Sequence, residues 1–338
     1  MSITHSQDSV GPSFIDKTII PVDKIEHAGS MSQEEVSHSE LSHPAEDEPA
    51  WIGIREYCQD FFSEFFGTCV MILFGDGVVA QVSLSEMKKG DYQSISWGWG
   101  LAVMLGVYCS SKSGGHLNPA VTFCNCLFRG HPWRKLPVYA LGQLLGAMAG
   151  AFIVYGTYYQ AIDNMEGPGV RTVGGTTSTA GIFCTYPAAF LTRTQMWWSE
   201  VVSSTILMFV IFAMADPKNG NARKLMPLGL FFLIFGIGAC FGWQTGYAIN
   251  LARDFGPRLV SYIVGYGHDV WSAGGYYFWI PMVAPFFGTA FGAFLYDIFM
   301  YTGKDSPVNT PWWGFKRLLQ PRRNIWSNTY KAKQISSV

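Results

Sequence analysis

One stretch, Gly114-Gly115-His116-Leu117-Asn118-Pro119-Ala120-Val121-Thr122-Phe123, constrains this chain more than any other, together with its imperfect echo Gly246-Tyr247-Ala248-Ile249-Asn250-Leu251-Ala252-Arg253-Asp254-Phe255. Each brings an apolar, glycine-bearing loop to an Asn and then opens a short helix, with Pro119 or Leu251 at its first position. Asn is a favoured N-cap, and proline at N1 is pre-organised for a helix. Such a terminus presents unpaired N–H groups and the positive end of the helix dipole. Helices of roughly ten residues are about 15 Å long, so two end to end match the roughly 30 Å of a bilayer's hydrocarbon. The sequence therefore predicts two half-helices meeting at mid-membrane; merely capped turns in loops outside the membrane are the alternative.

Composition favours the membrane. Of 338 residues only 14% are charged and 16% are aromatic, against about a quarter charged in a soluble domain. With a net charge of −1 and no basic stripe interleaved with aromatics, nucleic acid is excluded as a partner. The seven cysteines lack CxxC or zinc-ligand spacing and read as small buried hydrophobes, with no metal or cofactor implied. The N-terminus lacks the charged and apolar regions of a cleaved signal peptide, so the first span is expected to direct insertion itself.

Residues 1–50 are polar, rich in Ser, Glu and His, and are expected to form a disordered tail; His5, His27, His38 and His43 there are solvated residues or, alternatively, a pH or metal site. Apolar runs at about 61–84, 92–111, 136–160, 196–215, 225–242 and 271–296 give six spans of membrane-crossing length. The channel-like body is thus 51–302, with a C-terminal tail at 303–338. The halves repeat: Asn118 and Asn250 lie 132 residues apart, Glu64 and Glu200 lie 136 apart, and glycines 142, 146 and 150 of the third span are echoed by Gly288 and Gly292 of the sixth. Three spans per half make the second copy enter from the opposite face, an inverted repeat. The expected fold is all-α: six transmembrane helices and two re-entrant half-helices. Basic residues after the first half-helix, between the halves and after the last span place both termini in the cytosol.

Irregular backbone at membrane depth survives only where protein covers it or where it lines a watery cavity, so two opposed loops imply a pore. Their Asn amides would donate to a passing solute, and the two dipoles would repel cations and hydronium. Arg253, one turn into the second half-helix, is a functional residue by default at that depth, lining the pore rather than pairing with its neighbour Asp254.

Gly115-His116-Leu117-Asn118-Pro119-Ala120-Val121-Thr122 and Ala252-Arg253-Asp254-Phe255-Gly256-Pro257-Arg258 resemble the major intrinsic protein (aquaporin) family, within it the aquaglyceroporin branch, over about residues 57–300. Ion exclusion by an Arg and opposed half-helix dipoles is a known device of such pores. The resemblance implies a homotetramer with one pore per subunit in a eukaryotic plasma membrane, passing glycerol, other small uncharged solutes and some water. It also implies a constriction at Asn118, Pro119, Ala120 and Asn250, Leu251, Ala252. By the surrounding motifs Ser96-Trp97-Gly98, Gly236-Ile237-Gly238 and Thr245-Gly246-Tyr247, the family's narrow filter falls on Trp97, Gly238, Tyr247 and Arg253. Glycine at 238 leaves room where water-selective relatives carry His. Asp254, Arg258 and Pro281 resemble markers of the glycerol branch. Glu64, Glu200 and His116 resemble residues that brace the loops, with a proton relay the alternative for the carboxylates. Leu251 in place of proline resembles some fungal members. The competing readings are a water or hydrogen peroxide pore of the same fold and a proton-coupled secondary transporter using Glu64, Asp76 or Glu200; a membrane enzyme lacks any catalytic constellation. Tail serines 30, 32, 37, 39, 327, 336 and 337 are candidate phosphorylation sites for gating.

Overall fold

The computed structural model describes residues 49–220 and 222–314; the tail histidines and serines named above lie outside them. After a short helix α1 (Ala50–Tyr57), the first half comprises α2 (Gln59–Leu84), α3 (Tyr92–Cys109), the half-helix α4 (Pro119–Phe128) and α5 (Leu136–Glu166). The second half repeats the order with α6 (Arg193–Ala215), α7 (Met226–Thr245), the half-helix α8 (Leu251–Ser261), a broken helical stretch α9 (Asp269–Tyr276) and α10 (Trp279–Phe299). Among the described residues, five of the six long helices are apolar enough to span a membrane on length and composition. The sixth, α3, is diluted by Gln, Ser, Gly and Tyr, and it carries much of the pore wall described below.

Within each half the first and third helices pack closest, because the glycine rows remove side chains from the crossing. A Cβ at Gly146 would lie 2.2 Å from the Phe65 carbonyl oxygen, and one at Gly292 would lie 2.2 Å from that of Thr205. This small-residue packing is a general means of bringing membrane helices together where lipid offers no hydrophobic drive. The matching rows in α5 and α10 are the structural form of the sequence repeat.

The helix limits differ from the sequence expectation chiefly at the end of the third span, where α5 runs on to Glu166 rather than 160, and at the start of the sixth. The last span begins at Trp279 rather than 271, because Gly274 and Gly275 adopt φ of +63° and +67° and break the helical stretch within α9. The second half-helix ends at Ser261, and a wider turn over Tyr262–Tyr266 follows, with Gly265 at φ +109°.

Past the first half-helix, Arg129 grips Asp297 of α10 through two hydrogen bonds of 2.7 and 2.6 Å and stacks on Phe212 and Tyr301. Ser306, fully buried, donates to the same carboxylate. Residues 303–310 therefore pack against the end of α10.

Candidate functional site

The two loops are built alike. Asn118 and Asn250 have extended backbone and cap α4 and α8 with their side-chain oxygens, Asn118 accepting from Ala120 N at 2.9 Å and Asn250 from Ala252 N at 3.0 Å and Arg253 N at 3.3 Å. Leucine at N1 thus leaves the second half-helix intact. Just before each Asn stands a left-handed residue that is not glycine, Leu117 at φ +53° and Ile249 at φ +43°. Such backbone is strained and persists only where its surroundings hold it.

Two carboxylates hold it here. Glu64, fully buried, accepts from Ser113 Oγ (2.6 Å), His116 N (3.0 Å), Leu117 N (2.8 Å) and Gln143 Nε2 (2.7 Å). Glu200, also fully buried, accepts from Thr245 Oγ1 (2.7 Å), Ala248 N (3.0 Å) and Ile249 N (2.8 Å). His116 adds a contact of 3.1 Å from Nδ1 to Thr122 Oγ1. The loops then clasp each other: Asn118 Nδ2 donates to the Ile249 carbonyl at 2.8 Å, and Asn250 Nδ2 to the Leu117 carbonyl at 2.7 Å. Each strained residue offers its N–H to a carboxylate and its C=O to the opposite Asn. One amide hydrogen of each Asn remains for a solute.

A cavity of about 400 Å³ runs past this clasp, from Arg223 and Met226 at one end to Tyr247 and Arg253 at the other. Its walls are four-residue steps along helices: Trp99, Val103, Val107 and Ser111 on α3 and beyond, and Met226, Leu230 and Ile234 on α7. The next steps on α7 are Gly238 and Gly242, both buried. Tyr247, at φ +40°, fills the room they leave: a Cβ at Gly238 would lie 2.8 Å from its hydroxyl, and one at Gly242 would lie 2.7 Å from its ring. Asn118, Asn250 and His116 also line the cavity, whereas Pro119, Ala120, Leu251 and Ala252 do not.

Trp97 requires a correction of placement. It is 48% exposed and packs on Phe231 and Phe235, with ring centroids 5.3 and 4.6 Å away. Trp99, two residues on, is 4% exposed and lines the cavity, with the Arg253 guanidinium 4.0 Å from its ring centroid. A shift of two residues turns a helix by about 200°, which moves one indole out of the cavity and the other into it. Trp99 shares its four-residue step with Val103, Val107 and Ser111, and the packing of α3 is what turns that row to the cavity.

The remaining markers form a scaffold behind Arg253. Asp254 accepts from Thr185 N (2.8 Å), Thr185 Oγ1 (2.6 Å) and Arg258 Nε (2.9 Å). Arg258 also donates to the carbonyls of Val270 and Thr185, both at 2.7 Å. Arg253 Nη1 donates to the Phe183 carbonyl at 3.2 Å. The polar stretch before α6 thus sends residues 183–185 down to the pore mouth, a role its composition does not announce. Pro281 is buried in the first turn of α10, away from the cavity.

Two half-helices capped by clasped asparagines, a cavity that both loops line and an arginine at one end of it define a membrane pore of inverted-repeat type. Residues 54–296 match the family model "Major intrinsic protein", and the chain belongs to that family. It is 67% identical over 334 residues to the probable aquaglyceroporin-2 of Gibberella zeae, covering 98% of this chain and 99% of that protein. It is 63% identical over 281 residues to aquaglyceroporin-9 of Botryotinia fuckeliana, covering 83% of this chain and 62% of that protein. The X-ray structure of the aquaglyceroporin from Plasmodium falciparum superposes with a TM-score of 0.65 at 33% identity, over 72% of this chain and 97% of that one. The chain is accordingly a multi-pass membrane channel, passive rather than enzymatic.

Proposed function

We propose that the chain conducts glycerol and similarly small uncharged solutes, with some water, while excluding ions and protons. The observation that carries this reading is the grouping at one end of the cavity: the Arg253 guanidinium and the Trp99 and Tyr247 rings line it, and Gly238, outside the lining itself, stands behind Tyr247 where a side chain would meet its hydroxyl. Arg253 supplies donors for hydroxyl oxygens, and the two rings supply an apolar surface for a carbon backbone. The names of the relatives from Gibberella zeae and Botryotinia fuckeliana agree with it. Opposed half-helix N-termini oppose cations at the clasp, and Arg253 opposes them at its end of the cavity. Glu64 and Glu200 serve as loop braces in this reading, each already engaged by several donors, rather than as proton carriers. The same proposal places the channel in the plasma membrane with both termini cytosolic, as a homotetramer, with 51–302 as the channel domain between its tails.

Stopped-flow light scattering on proteoliposomes tests it. Glycerol flux is expected to be rapid and non-saturating, and to fall on the order of tenfold or more in Gly238→His, whose imidazole must displace Tyr247 or narrow the bore. Water flux without glycerol flux in the unmodified chain overturns the proposal and favours a water or peroxide pore.

A further inference from the structure

Asp76 stands in the middle of α2, between Gly75 and Gly77, and is fully buried. Neither of its carboxylate oxygens has a hydrogen-bond partner among the described residues. An ionised carboxylate in that position is costly unless another charge compensates it. The compensating group is close by: Arg253 Nη1 lies 3.8 Å from Asp76 Oδ1. Asp254, the next residue along, is already paired with Arg258, Nη2 to Oδ1 at 2.8 Å.

The separation is informative. At 3.8 Å the two groups attract as charges without sharing a hydrogen bond, so the carboxylate takes none of the guanidinium's donors. Asp76 also stays outside the cavity lining, behind Arg253. Its neighbour Gly75 seats the other half of the same site: a Cβ there would lie 2.4 Å from the Trp99 ring. The adjacent pair Gly75-Asp76 therefore positions the indole on which Arg253 stacks and supplies the charge opposite it.

A pore with two helix N-termini and a bare arginine would repel cations but draw in small anions, since a low-dielectric wall focuses the field. Resting on the channel reading above, we infer that Asp76 is a specificity-determining residue acting through Arg253: it cancels the net charge of the filter while taking none of the N–H groups that Arg253 keeps beyond its bond to the Phe183 carbonyl, so that the pore rejects small anions as well as cations.

The full chain reconstituted in proteoliposomes and planar bilayers tests this, with glycerol flux and the reversal potential under a potassium nitrate gradient as paired readouts. Asp76→Asn should raise nitrate permeability relative to glycerol on the order of tenfold and move the reversal potential towards nitrate; Asp76→Glu should restore the unmodified ratio. Arg253→Gln, which leaves the carboxylate unopposed, should move the potential towards potassium. A purely structural role would lower glycerol and nitrate flux together without moving the potential. An unchanged nitrate-to-glycerol ratio in Asp76→Asn means that the side chain carries no charge at the filter and overturns the inference. If Asp76→Asn alone yields no folded protein, Arg253→Gln set beside the double variant Asp76→Asn/Arg253→Gln decides: a larger shift towards potassium in Arg253→Gln than in the double variant supports the inference, and equal shifts overturn it. Absence of glycerol flux in the unmodified chain is a separate outcome, which removes the channel reading and this inference with it.

Discussion

The two re-entrant loops share a frame and differ in what they carry. Each has a left-handed residue before a capping Asn, a buried glutamate bracing its backbone and a cross-donation to the other loop. At the offset of 132 residues, however, Val121, Thr122 and Cys126 stand where Arg253, Asp254 and Arg258 stand in the second half. The first loop is neutral and held by Thr122, His116 and Gln143. The second is charged, and its charges reach out to residues 183–185 and to Asp76. The two halves thus share the frame that inserts backbone into the membrane, and the charged residues stand on one copy alone.

The largest expected effect breaks the charged copy alone. Arg258→Leu leaves Asp254 buried without its partner, a change of about 3–5 kcal/mol, and should abolish the folded channel, read as loss of the monodisperse detergent-solubilised peak. Cys126→Leu, at the corresponding place in the first half, should retain it. Next come the braces, where the two copies should behave alike. Glu64→Gln and Glu200→Gln each turn an acceptor towards a backbone N–H into a donor, at a cost on the order of 3 kcal/mol. Thermal unfolding in detergent should show similar losses; a large loss in one and none in the other would mean that the loops are not braced equivalently.

A third experiment separates the two indoles of α3. Trp99→Ala should change the water-to-glycerol flux ratio several-fold, about 1 kcal/mol of contact to the solute and Arg253. Trp97→Ala should leave the ratio unchanged, because that ring packs on Phe231 and Phe235. The smallest effect is expected from Leu251→Pro, which makes the second loop copy the first. The N1 amide has no intrahelical partner to lose, and proline there should stabilise by about 0.4–1 kcal/mol. The side chain at 251 does not line the cavity, so glycerol flux should change by less than about twofold.

Much of this molecule was legible in local pattern. The Asn caps, the proline or leucine at N1, the glutamates at matching offsets and the glycine rows are properties of short segments, and a helix terminus or a small-residue crossing depends on few neighbours. The inverted repeat followed from counting spans. What lay beyond the pattern concerned the rotational phase of helices and contacts between distant segments. Trp97 and Trp99 sit in equivalent motifs, and only the packing of α3 against its neighbours turns the second one inward. The 183–185 stretch lies in a polar loop, yet its backbone holds Asp254, Arg258 and Arg253.

The sequence by itself determined that two capped half-helices must be inserted and braced, because unpaired backbone cannot face lipid. Only the tertiary structure decided which aromatic ring meets Arg253 and which carboxylate stands behind it. Those are distances between α2, α3 and α8, set by how closely glycines let the helices approach, and nothing in the order of residues along one helix fixes them.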